Sequence, residues 1–148
     1  MKSIQQWLDE YAVSHQNATN KLIHWICVPS IFFSIVCLLN EVPIYQGLSL
    51  AHIILVAAMF FYIRISWKIA LGLLLFYFIC IWGSIQLQSI STSVWKIALS
   101  IFTIAWIGQF IGHKIEGKKP SFLDDVQFLL IGPAWLLSFI YKKLNIQY

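Results

Sequence analysis

Charged residues are scarce in this chain, and their scarcity limits the kinds of protein it can be. Only 11% of the 148 residues are charged and 59% are hydrophobic, whereas soluble domains carry about 25% charged residues. A soluble fold of this length could not bury so much apolar surface. The few basic residues form no stripe along a helix, which argues against nucleic acid as a partner despite a formal net charge of +4. The composition predicts that lipid surrounds the protein.

Cysteine chemistry and a targeting segment are also lacking. Cys27, Cys37 and Cys80 fall in apolar segments without a CxxC spacing, so the pattern predicts neither a disulfide framework nor a thiolate metal site. The segment 1–15 mixes acidic and basic residues and contains no continuous apolar stretch. It is therefore not expected to be a cleaved signal peptide.

Long runs of apolar residues make up most of the sequence. A helix needs about 20 such residues to cross a bilayer. The predicted spans are 22–39, 48–63, 69–87, 94–112 and 126–141. Pro133 interrupts the last one, which could therefore cross with a kink or enter and return on the same side. The segment 2–14 carries an apolar stripe but is too short to cross, so we expect it to lie at the interface.

These patterns predict an all-α fold, namely a multi-pass transmembrane helical bundle of about five spans plus an N-terminal interfacial helix. We expect residues 1–148 to form a single domain. The predicted localisation is an integral membrane protein, in the inner membrane of a bacterium or the endoplasmic reticulum membrane of a eukaryote. No oligomeric state follows from the sequence.

The basic residues indicate an orientation. If five spans alternate, Lys96, Lys142 and Lys143 lie on one side of the membrane. The other side then carries Lys2, Lys21, Arg64, Lys68, Lys114, Lys118 and Lys119. Because cytoplasmic segments are enriched in basic residues, the N-terminus is predicted to be cytoplasmic.

Polar residues recur at helical spacing inside two of the apolar runs. Asn20 and His24 lie four residues apart in the first span, and Gln109, His113 and Glu116 follow the same spacing in the fourth. Residues four apart share a helix face. In addition, Gly108 and Gly112 form a small-xxx-small pair that allows another helix to approach closely.

Three histidines fall on the predicted cytoplasmic side, and imidazole is a ligand for iron, zinc and copper. His15 continues the apolar stripe of the N-terminal helix, while His24 and His113 occupy the polar faces described above. We therefore predict a metal site formed by His15, His24 and His113, with Glu116 as a further ligand or a supporting partner. The alternative is that each histidine is only an interfacial residue bonded to backbone or headgroups, which we favour for His52 on the opposite side.

Two blocks of residues also carry a family resemblance. Near the start stands Tyr11-xxx-His15-xxxx-Asn20-xxx-His24-xxxx-Pro29, and near the end stands Gln109-xx-Gly112-His113-xx-Glu116-xxx-Pro120, followed by Pro133. The chain resembles the 2-hydroxy fatty acid dioxygenase family, small multi-pass membrane proteins that include a fungal endoplasmic-reticulum enzyme of phytosphingosine breakdown.

The resemblance implies an Fe(II)-dependent α-oxidation that uses dioxygen to shorten a 2-hydroxy fatty acid by one carbon. It implies that Fe(2+) is held by His15, His24 and His113. Glu116, Asn20 and Gln109 are the candidate catalytic residues, and a lysine among 114, 118 and 119 could hold the substrate carboxylate.

Two other classes of function stay open at this point. One is a haem-binding electron carrier with two of the three histidines as axial ligands. The other is a non-catalytic membrane scaffold or a proton-conducting bundle whose histidines titrate near neutral pH.

Overall fold

The computed structural model describes residues 2–117 and 122–148, with side chains described from 128 onwards in the second part. The described part is a helical bundle with one small hairpin. Its elements, in order, are α1 (Ile4–Ala12), α2 (Ala18–Asn40), β1 (Pro43–Tyr45), β2 (Leu48–Ser49), α3 (Leu50–Ile65), α4 (Trp67–Ile90), α5 (Val94–Glu116) and α6 (Phe122–Lys143).

The first two helices begin where the sequence supplies caps. Ser3 and Gln6 form a reciprocal capping box at the start of α1, and the Asn17 side chain accepts hydrogen bonds from the backbone amides of Thr19 and Asn20 at the start of α2. Helix α1 buries Ile4, Leu8 and Tyr11, which confirms the predicted amphipathic N-terminal helix. Helix α2 continues through Pro29 to Asn40.

A small hairpin that the sequence analysis did not predict accompanies the six helices of the all-α fold. Strands β1 and β2 pair antiparallel, with Pro43 opposite Ser49 and Tyr45 opposite Leu48. Gly47 has a φ of 73°, a left-handed conformation that glycine adopts readily and that permits the tight turn. The predicted span 48–63 therefore starts too early, because α3 begins at Leu50.

Three helices in the described part, α2, α4 and α5, are long and apolar enough to cross a membrane. Helix α3 has 16 residues, about 24 Å of rise, which is shorter than a hydrocarbon core of about 30 Å. Large apolar side chains such as Leu75, Ile79 and Trp82 are exposed on the outside of the bundle, as expected of a surface that faces lipid. These features indicate a membrane protein, and they do not confirm five spans.

Helix α6 contacts one end of the bundle along its described length. The Tyr62 hydroxyl, near the end of α3, donates to the Leu130 carbonyl, and the Tyr141 hydroxyl donates to the Lys68 carbonyl in the first turn of α4 at 2.7 Å. Because α3 and α4 are joined only through Ser66, Leu130 and Tyr141 lie at the same end. The structure has one continuous helix through Pro133, and these contacts do not decide between the two possibilities that Pro133 left open.

We name this end of the bundle the α1 end, because α1 packs there against α6, and the opposite end the hairpin end. The predicted placement of Lys142 and Lys143 with Lys96 is wrong, since Lys142 lines one cavity together with Lys21. Lys118 and Lys119 lie outside the described residues. Seven of the eight described basic residues therefore lie at the α1 end, namely Lys2, Lys21, Arg64, Lys68, Lys114, Lys142 and Lys143.

Candidate metal centre

The three predicted histidines come together at the α1 end from three different elements. His15 lies in the connection after α1, His24 is in the second turn of α2, and His113 is in the last turn of α5. One ring nitrogen from each lies within 4.8 Å of the others. Their exposed fractions are 2%, 1% and 8%, so the cluster is inside the protein and does not consist of independent interfacial residues.

Backbone carbonyls fix the orientation of two of these rings. His15 Nδ1 donates to the Tyr11 carbonyl at 2.6 Å, and His24 Nδ1 donates to the Asn20 carbonyl at 2.9 Å. A carbonyl can only accept, so each Nδ1 carries the hydrogen and each Nε2 of the neutral rings is an acceptor. Metal-binding histidines usually use this arrangement to point the free nitrogen at the ion.

The Nε2 atoms of His15 and His24 face each other. His15 Nε2 and His24 Nε2 are 2.9 Å apart, and two acceptors at that distance repel each other unless a cation lies between or beside them. Adjacent imidazole ligands with metal–nitrogen bonds of about 2.1 Å place their nitrogens about 3 Å apart. The donor set therefore fits a single transition-metal ion, with His113 as the third nitrogen donor.

Glu116 joins the α1–α2 connection to α5. Its carboxylate accepts from the backbone amide of Gln16 at 2.7 Å and that of Asn17 at 2.9 Å, and from Asn20 Nδ2 at 2.9 Å. These bonds use both carboxylate oxygens. In this arrangement Glu116 holds the loop that carries His15 close to the helix that carries His113, and its role as a ligand or a supporting partner stays a prediction.

The two predicted amide residues differ in what the structure shows for them. Asn20 is fully buried and its Nδ2 also donates to the Ser14 carbonyl at 3.2 Å, while its Oδ1 has no hydrogen-bond partner in the described part. Gln109 is buried on α5 one turn before His113. Direct catalytic roles for Asn20 and Gln109 stay predictions.

Close packing of α2 against α5 depends on the predicted glycine pair. A Cβ at Gly108 would lie 2.5 Å from Cys27 Sγ. A Cβ at Gly112 would overlap Asn20 Oδ1 and lie 3.5 Å from His24 Cε1. Gly112 therefore lets the backbone of α5 approach the two polar residues of α2, as the small-xxx-small pattern predicts.

Two aromatic side chains cover His15 on the side away from α5. The Tyr11 ring stacks on His15 with 4.1 Å between centroids, and the Trp135 ring lies 5.3 Å from it. Trp135 is itself buried, with only 3% of it exposed. A tryptophan inside a terminal apolar helix gives no sequence signal for this role, because its partner His15 lies far away in the sequence, in the connection after α1.

Comparison with known proteins identifies the family. A family model described as 2-hydroxy-palmitic acid dioxygenase Mpo1-like matches residues 1–144. The chain belongs to the Mpo1-like family. It is 34% identical to the 2-hydroxy-palmitic acid dioxygenase MPO1 of Saccharomyces cerevisiae, an alignment that covers 94% of this chain and 80% of the yeast protein. No solved structure matches the chain.

Proposed function

We propose that this protein is an Fe(II)-dependent dioxygenase that oxidises a 2-hydroxy fatty acid to the acid one carbon shorter. The observation that supports it most directly is the buried cluster of three imidazoles in a chain of the Mpo1-like family. The yeast relative is named for dioxygenase activity on a 2-hydroxy acid, and the same class of substrate is proposed here.

Iron suits this donor set. His15, His24 and His113 would hold the ion through one nitrogen each, and three protein ligands leave coordination positions open for other molecules. Bound iron would supply the capacity to activate dioxygen, which imidazole and carboxylate side chains lack. The open positions and the lipid surroundings together favour a small apolar oxidant and an amphiphilic acid as the reactants.

The residues around the cluster have three tasks in this proposal. The Tyr11 and Asn20 carbonyls keep His15 and His24 in one tautomer. The rings of Tyr11 and Trp135 limit the access of water to His15. Glu116 holds the loop and α5 together, so the three nitrogens keep their spacing while substrate enters and leaves.

The two other classes of function fit less well. A haem held by two of the histidines would need its macrocycle between their rings, but the three rings are in direct contact, with centroids 4.2, 5.5 and 5.2 Å apart. A scaffold has no need for three imidazoles that face each other in a buried site. A proton-conducting bundle would need such groups along the membrane depth, whereas these three lie at one end.

The proposed orientation places the α1 end in the cytoplasm in a multi-pass arrangement. Seven of the eight described basic residues lie at that end and Lys96 lies at the other, which follows the positive-inside bias. Single cysteines at positions 21, 96 and 142, in a background without the native cysteines, would be labelled in sealed vesicles. Positions 21 and 142 should react from the cytoplasmic side and position 96 only from the opposite side. Labelling of 96 together with 21 would refute this topology.

The decisive experiment combines metal analysis with an activity assay. Purified protein is expected to contain about one iron per chain after reconstitution with Fe(II), and to consume 2-hydroxypalmitate only in the presence of dioxygen. His52→Ala serves as the control variant, because His52 lies at the hairpin end and its Nδ1 accepts from the Ser49 amide at 3.2 Å. Iron-replete protein that leaves 2-hydroxy acids of several chain lengths unchanged would refute the proposed function.

A further inference from the structure

The cavity lined by Lys21 and Lys142 at the α1 end borders the histidine cluster. It has a volume of about 120 Å³ and is lined by side chains from α1, from the α1–α2 connection, from the start of α2 and from α6. His15 forms part of its wall, and so does Trp135. His15 as a whole is only 2% exposed. Because it forms part of the cavity wall, a molecule from outside the bundle would approach its ring through this cavity.

The cavity has a positively charged rim. Lys21 of α2 and Lys142 of α6 both line it, and Asp9 of α1 is the acidic residue among its lining side chains. The Asp9 carboxylate already accepts a hydrogen bond from Gln5 Nε2 at 2.7 Å. Two ammonium groups against one carboxylate leave a net charge of +1 at the mouth, which favours an anionic ligand.

We propose that this cavity is the carboxylate-binding subsite for an amphiphilic acid, with Lys21 and Lys142 holding the carboxylate beside His15. The identity of the ligand as a fatty acid rests on the proposed function. Charge-assisted hydrogen bonds from two ammonium groups orient a carboxylate more tightly than either alone. Because Lys21 and Lys142 come from different helices, the subsite forms only when α6 packs against α1 and α2.

An apolar surface continues from this subsite towards lipid. Phe139 lines the cavity, and its ring lies 6.2 Å from that of Trp25. Trp25 in turn lines an apolar groove of about 170 Å³ between α2, α4 and α6, with Pro29, Gly72, Leu73 and Leu137 among its walls. A ligand whose head is held by the two lysines can therefore place its acyl chain across Phe139 and Trp25 into this groove.

This assignment differs from the lysines that the sequence pattern suggested. Lys114 is exposed in the last turn of α5 and is not among the residues that line the cavity, and Lys118 and Lys119 lie outside the described residues. Sequence spacing could not associate Lys21 with Lys142, because their proximity depends on the packing of α6 at the α1 end.

Binding of an unreactive acid tests the subsite separately from catalysis. We would measure equilibrium binding of palmitate and of methyl palmitate, its uncharged ester, to purified full-length protein in nanodiscs. The variants are Lys21→Gln, Lys142→Gln and the double variant, and the matched control is Lys143→Gln, which alters the neighbouring exposed lysine. Each cavity variant should bind palmitate about 10- to 100-fold more weakly, the loss expected for one charged hydrogen bond, with the ester and the control unaffected.

Each outcome decides the proposal. Selective loss of palmitate affinity supports the subsite, and it does so even if no 2-hydroxy acid is ever consumed, in which case only the proposed function fails. Unchanged palmitate affinity in the double variant overturns the subsite, whatever the activity. Equal loss for acid and ester also overturns it, because the lysines would then support the fold or anchor it to headgroups. Iron content of every variant, measured in parallel, reports whether the α1 end remains assembled.

Discussion

Each end of the bundle contains histidine in a polar cluster, and the hydrogen-bond partners of these histidines differ between the two ends. At the hairpin end, His52 Nδ1 accepts from the Ser49 amide, and Ser49 Oγ lies 2.9 Å from both His52 Nδ1 and Asn40 Oδ1. Asn40 Nδ2 in turn donates to Ser84 Oγ at 3.2 Å. Each acceptor in this chain of contacts has a donor within the protein.

At the α1 end the histidines are arranged differently. Both Nδ1 atoms of His15 and His24 donate to backbone carbonyls, which leaves two acceptor nitrogens 2.9 Å apart. Two neutral imidazoles arranged in this way repel each other unless a cation lies between or beside them, and a bound metal ion would supply that charge. The comparison indicates that the matching of hydrogen-bond donors with acceptors, more than the presence of histidine, distinguishes a candidate binding site from a structural polar cluster.

The largest effect expected from this comparison is on the histidines themselves. Replacing His15, His24 or His113 singly by Ala should abolish iron binding and activity, because a site of three imidazoles in apolar surroundings has no replacement ligand. His52→Ala should leave both nearly intact. Metal content and 2-hydroxypalmitate consumption measure the two effects. Equal loss from all four variants, or retention of iron by the three at the α1 end, would contradict the one-ended site.

Much of this site could be predicted from sequence. The spacing of Asn20 to His24 and of Gln109 to Glu116 needs only the helical repeat, and the structure places these residues on facing helices. The contacts of Glu116 with the Gln16 and Asn17 amides could not be predicted. They depend on the path of the connection between α1 and α2, which periodicity does not determine.

The next largest effect concerns the close approach of α2 and α5. Gly112→Leu should destroy iron binding and reduce the yield of folded protein, because even a Cβ there overlaps Asn20 Oδ1. The matched control is Ile111→Leu, since the adjacent Ile111 side chain is exposed on the outside of the bundle. Size-exclusion behaviour in detergent and metal content check both variants. A Gly112→Leu protein with full iron content would show that the two helices can separate without displacing His24 or His113.

The fold shows the limits of apolar length as a guide to structure. The segment 126–141 is long enough to cross, and Tyr62 and Tyr141 hold α6 to the α1 end through backbone carbonyls. Hydropathy alone could not predict these two contacts, because they depend on how α6 packs against α3 and α4. The hairpin was missed for a different reason, since its strands have only three and two residues and lie between two apolar helices.

A smaller effect is expected for the carboxylates, one at each end. Glu116→Ala should weaken iron binding about 10- to 100-fold, the usual loss when a partner that orients metal ligands is removed, and Glu116→Gln should recover part of it. Glu41 at the hairpin end accepts only an exposed hydrogen bond, from Gln88 Nε2 at 3.0 Å, so Glu41→Ala should bind iron normally. Titration with Fe(II) gives the affinities. Loss as complete as in the histidine variants would make Glu116 a ligand.

The smallest effect belongs to the polar cluster of the hairpin end and should appear in stability alone. Ser84 is fully buried, and Ser84→Ala removes the acceptor of the Asn40 Nδ2 hydrogen bond, which should cost about 1 kcal/mol of unfolding free energy. Iron content and activity should stay at the level of the unmodified protein, because the cluster contributes no group to the α1 end. Thermal unfolding in detergent and the 2-hydroxypalmitate assay, run on the same preparation, separate the two quantities. A loss of activity larger than the loss of folded protein would show that the two ends are coupled, and the contrast between a satisfied cluster and a ligand site would then no longer hold.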